Sequence, residues 1–131
     1  MASLNLVNIF ARDIARLSKF YQQVFDFTEV RKYRSPIFRC LRAGGADLGF
    51  NAAPAYQLLD LEKYKKTSGV KIFINLEARS KREVDEPVKK AVKKGARIIK
   101  QPYVTPYNFY QAVLLDPEDN VFRINRVLRR K

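Results

Sequence analysis

Apolar and polar residues alternate along LNLVNIFA (4–11), with branched side chains prominent, and this period of two predicts a strand. The period then lengthens. Ile14, Leu17, Tyr21 and Val24 recur at three- and four-residue intervals, which predicts a helix from Arg12 to Phe25. Asp13 stands where a carboxylate favours a helix N-terminus, and Asp26 where the chain leaves the helix. Three more strand patterns follow, DFTEVRKY (26–33), IFRCLRA (37–43) and ADLGFNA (46–52), with Pro36 and the Gly44-Gly45 pair marking the turns.

After a connecting stretch, 53–68, the same order returns. GVKIFINLE (69–77) reads as a strand. Ser80-Lys81-Arg82-Glu83 matches a capping box, and Val84, Val88, Ala91 and Val92 form the apolar face of a helix that closes near Gly95. Pro87 either kinks that helix or marks where its regular part starts. ARIIKQPY (96–103), YNFYQAVLL (107–115) and NVFRINRV (120–127) complete a second set. The expectation is one α+β domain of two tandem βαβββ modules, 1–52 and 69–131, forming a curved mixed sheet around a cup. Asp116 and Asn120, flanking Pro117, set the turn that opens the last strand.

Composition narrows the function. The chain has 131 residues, enough for one domain to bury a core without staples. There is no histidine, and the single Cys40 lies in a strand pattern, so it reads as a core residue in a reducing cytoplasm and not as a nucleophile. No run approaches the length of a membrane span, and MASLNLVNIF lacks a leader pattern. The net charge of +13 raises nucleic acid as a partner. However, the basic residues are spread over EKYKK (62–66), 81–100 and RVLRRK (126–131), and no nucleic-acid motif accompanies them.

The stretches LNLVNIFARDIARLSKFYQQVFDF, KKGARII and YQAVLLDPEDNVFRIN resemble the vicinal-oxygen-chelate superfamily. That family comprises glyoxalase I, extradiol dioxygenases, and fosfomycin- and bleomycin-resistance proteins, and the last stretch is similar to its Asp-Pro-x-Gly-Asn turn and final strand. The resemblance implies paired βαβββ modules. In metal-using members it implies a cation held by the first and last strands of each module. The matching positions here are Leu6, Gly49, Lys71 and Arg123, none of which is a metal ligand, so no metal or other cofactor is expected. The bleomycin-binding members hold a cationic drug in acidic clefts, so a chain this basic need not share their ligand.

Strand alternation names the residues expected to face the cup: Asn8, Asn51, Lys71, Phe73, Asn75, Arg123 and Asn125. Ile72, Ile74 and Leu76 are expected behind them, under the helices. Arg123 is placed to clamp a carboxylate or phosphate, with Lys71 adding charge; the alternative is that both pair with acids of the same chain. Tyr107 and Tyr110, with Tyr33, Tyr56 and Phe109, could cover a planar ligand or simply pack. No catalytic residue is assigned, because no group with an ordinary pKa near neutrality is available. The expectation is a cytoplasmic, homodimeric, metal-free binder of a small anionic or aromatic molecule. A lyase, isomerase or dioxygenase-like enzyme with an unconventional site is the second reading, and a nucleic-acid-associated basic module the third.

Overall fold

The computed structural model describes residues 1–128. The chain forms two compact units, one ending at Ser68 and the other beginning at Gly69.

The first unit runs β1 (Leu6–Phe10), α1 (Ile14–Phe25), β2 (Thr28–Glu29), β3 (Phe38–Arg42), β4 (Asp47–Asn51) and α2 (Pro54–Leu58). Its strands lie in the order β1-β4-β3-β2, with β1 parallel to β4 and the other pairs antiparallel. The second unit runs β5 (Ile74–Glu77), α3 (Arg82–Lys93), β6 (Arg97–Val104), β7 (Phe109–Leu115) and β8 (Val121–Val127). Its order, β5-β8-β7-β6, repeats the first, and again the strand before the helix is parallel to the last. The βαβββ repeat read from the sequence is therefore present in both halves, as two four-stranded mixed sheets.

The long helices α1 and α3 each cover one face of their own sheet. Leu17, Phe20, Tyr21 and Val24 of α1 are buried, as are Leu41, Leu48 and Phe50 of the strands, and the Tyr21 and Phe50 rings lie 5.8 Å apart. Val84, Val88 and Ala91 of α3 are buried with Ala112, Leu114, Phe122 and Ile124 of β7 and β8. Removing these apolar groups from water is the main stabilising term for each unit. Local signals fix the helix ends. The Asp13 carboxylate accepts from the Arg16 amide at 3.0 Å, and Asp26 ends α1 in a left-handed conformation, φ 59°. At α3 the Ser80 hydroxyl accepts from the Glu83 amide, while the Glu83 carboxylate reaches back one residue further, to the Arg79 amide.

Several readings are corrected or refined. DFTEVRKY contributes only Thr28–Glu29 to the sheet. Arg31–Tyr33 turns into one 3-10 turn, and the Arg34 guanidinium folds back to grip the Glu29 carboxylate, Nε to Oε2 at 2.7 Å. The connection 53–68 holds α2 and a further 3-10 turn at Glu62–Tyr64. GVKIFINLE pairs only from Ile74, opposite Phe122, because a parallel strand needs a partner and β8 begins at Val121. Residues 69–73 thus lie outside the sheet and Ile72 is exposed, not buried under a helix. Val92 is also exposed, and Pro87 sits inside a helix that already starts at Arg82.

Candidate functional site

Alternation along β8 separates two faces. Phe122 and Ile124 are buried on the side of α3, which puts Arg123 and Asn125 on the opposite side. The parallel register pairs Asn75 with Arg123 and Glu77 with Asn125, so all four side chains share that open face. On the other flank of β8, Gln111 of β7 stands beside Asn125, and Tyr103 of β6 stands beside Gln111. A polar row, Glu77–Asn125–Gln111–Tyr103, therefore crosses all four strands, with Asn75 and Arg123 alongside it.

The hydrogen bonds make this a network. Arg123 Nε donates to Asn75 Oδ1 at 2.7 Å. Asn75 Nδ2 donates to Glu77 Oε1 at 3.3 Å, and Asn125 Nδ2 donates to the same oxygen at 2.6 Å. Gln111 Nε2 donates to the Tyr103 hydroxyl at 3.0 Å. The Arg123 guanidinium also lies 5.1 Å from the centre of the Phe73 ring. Two acceptors, Asn125 Oδ1 and Gln111 Oε1, are buried without a partner among the described residues, although the two residues are only 2% and 7% exposed. An orphaned acceptor of this kind costs about 1–3 kcal/mol, so it calls for a reason.

In the first unit the equivalent face carries an amide pair: Asn51 Nδ2 donates to Asn8 Oδ1 at 2.9 Å. Gly49 lies opposite Asn8, and a Cβ there would come within 2.2 Å of the same Asn8 oxygen. The Phe10 ring stacks at 3.8 Å on Tyr56 of α2, which accounts for that tyrosine by packing.

Of the residues read from the sequence, Arg123, Asn125 and Asn75 are brought together with Phe73, and Asn8 pairs with Asn51. Lys71 is not on a strand; it is exposed in the segment before β5. Tyr107 lies in the turn before β7, 76% exposed, beside Phe109. Tyr110 points the wrong way for the open face. Its hydroxyl donates to Asp85 of α3 at 2.6 Å, and this hydrogen bond, with burial and the carboxylate charge, pushes its pKa up to about 12. The strand starts two residues later than read, and in β7 the face parity gives the open side to Gln111. Three members of the row were missed: Glu77, Gln111 and Tyr103. Glu77 was within reach, since it continues the 71, 73, 75 alternation. Gln111 and Tyr103 needed the cross-strand register.

Cys40 is buried and its pKa is raised, chiefly by burial, with Asp47 beside it. That is an inert core thiol. A groove of about 550 Å³, lined by Asp85, Val88, Val92, Lys93, Ile98 and Pro102, runs between α3 and β6, on the helix side and away from Arg123.

The sequence profile of the glyoxalase/bleomycin resistance protein/dioxygenase superfamily matches residues 3–124. The chain belongs to that superfamily. A glyoxalase/bleomycin resistance protein/dioxygenase family enzyme from Burkholderia phytofirmans PsJN is 54% identical over 97% of this chain and all of its own, with a TM-score of 0.94. More distant structures share the fold. They include a glyoxalase-related enzyme from Fulvimarina pelagi, 16% identical with TM-score 0.79 over 96% of this chain and 88% of its own. A lactoylglutathione lyase from Agrobacterium tumefaciens is 18% identical with TM-score 0.73, over 96% and 94%. No curated protein is matched by the chain.

The divalent ion used by some superfamily members does not fit the residues present. The positions that the resemblance implies for its ligands hold Leu6, Gly49, Lys71 and Arg123. At Gly49 the Asn8 side chain fills the space a ligand side chain would need. Among the described residues, no three His, Cys, Asp or Glu side chains gather as a metal-binding group.

Proposed function

We propose that this superfamily member binds a small anionic ligand without a metal ion, with Arg123 as its anchor. One observation carries the reading. The Arg123 guanidinium is oriented by a neutral partner, Asn75, and makes no ion pair among the described residues. Its Nη nitrogens make no hydrogen bond there either, so the bidentate edge that matches a carboxylate or phosphate is available. Phe73, near the guanidinium and half exposed, offers a ring against which a planar part of the ligand can lie. Asn125 and Asn75 supply amide groups beside the anchor.

The test is a thermal-shift screen with carboxylated and phosphorylated aromatic compounds, run on the wild type and on Arg123→Ala. Ligands at 100 times Kd should stabilise the wild type by about 2.7 kcal/mol and leave the variant unshifted. Equal stabilisation of both proteins makes Arg123 structural and removes the proposal.

A further inference from the structure

Asn75 does something unusual between Arg123 and Glu77. It accepts from the guanidinium through Oδ1 and donates to the carboxylate through Nδ2, so it orients both charges while keeping them from pairing with each other. Asn125 adds a second hold on Glu77, at the same Oε1. Glu77 Oε2 accepts nothing among the described residues, and Glu77 itself is exposed. Beside it along the row lie the two buried acceptors without donors, Asn125 Oδ1 and Gln111 Oε1. One end of this face thus presents donors and positive charge. The other presents acceptors and negative charge. Since Asn75 and Arg123 are register partners and Glu77 lies two residues along, the Arg123 and Glu77 Cα atoms stand about 8 Å apart, from the rise per residue and the strand spacing.

We infer that the ligand is bifunctional: an anionic group for Arg123 joined through a short, flat spacer to an ammonium or other N–H donor for the exposed Glu77 carboxylate. Each charge of such a molecule meets its complement, whereas a simple anion leaves the Glu77 carboxylate unmatched. This inference rests on Arg123 being the anion anchor, and it names the class of compound that anchor serves.

Isosteric probes test it by calorimetric titration. 4-(Aminomethyl)benzoate carries both groups, and 4-ethylbenzoate has the same shape and anion without the donor. The wild type should bind the first about fivefold more tightly or better, the scale of one partly exposed charged contact. In Glu77→Gln, which keeps the shape and an acceptor for Asn75 and Asn125, the preference should fall to within about twofold. A melting curve confirms that this variant is folded, and the wild-type comparison stands without it. If both compounds bind alike and both are lost in Arg123→Ala, the bifunctional inference fails while the anion anchor survives. If neither compound binds the wild type, both readings fail.

Discussion

Asp119 takes the place that glycine holds in the superfamily's Asp-Pro-x-Gly-Asn turn, and it sits at φ 67°, where glycine is favoured. The turn survives because Asp116 closes it, accepting from the Glu118 and Asn120 amides at 2.8 and 3.0 Å. Asp119→Gly should therefore stabilise the protein by up to about 1 kcal/mol, since the Arg97 pairing it loses is largely solvent-exposed. Chemical denaturation would show this as a higher midpoint at unchanged slope. Gly49 predicts the opposite sign. A methyl group there displaces Asn8 and strands Asn51, and Gly49→Ala should cost about 1–3 kcal/mol. The penalty should shrink in an Asn8→Ala background without vanishing, because Phe38 stands 3.0 Å from the same added carbon. Tyr110 gives a pH signature. Its pKa is raised to about 12 when folded, so its contribution is intact below pH 10 or so, the unfolded value, and is lost as pH rises toward 12. An alkaline titration of tyrosine absorbance should show a late-ionising residue, absent in Tyr110→Phe.

Among elements, α3 is the one at odds with its own chemistry. Pro87 lies in its interior, where it removes an amide donor and crowds the carbonyl one turn earlier. The helix forms regardless, because Val84, Val88 and Ala91 are buried on the sheet and the Ser80–Glu83 cap holds the first turn. Pro87→Ala should raise stability by about 1–3 kcal/mol, seen as a higher melting temperature with unchanged circular dichroism shape. β5 teaches a related lesson. Its pattern is legible for nine residues, yet only Ile74–Glu77 pair, because the length of a parallel strand is set by its neighbour.

For the whole molecule, the +13 charge matters most. The lysines of α3 contribute to it on an exposed surface, whereas the end of the RVLRRK segment lies beyond the described residues. Like charge at this density repels itself, so raising ionic strength from about 0.01 to about 0.15 M should raise the melting temperature. A flat response would mean that the charges are already paired. Among the described residues no helix is long and apolar enough to cross a membrane.

What the sequence determined by itself was most of the local structure. The helix faces Leu17–Tyr21–Val24 and Val84–Val88–Ala91, the Asp13 and Ser80 caps, the Asp116 turn and the repeated βαβββ order follow from periodicity and from residues bonding their chain neighbours. Arg123 and Asn125 were legible too, because alternation along one strand suffices to assign a face. Register across strands was not, since it depends on where a partner begins and not on the residues of the strand itself. That is why Lys71 falls outside the sheet, Tyr110 turns toward Asp85, and Glu77, Gln111 and Tyr103 join the row only in three dimensions. The candidate site is a cross-strand object, and pairing between strands dozens of residues apart is what tertiary structure alone decides.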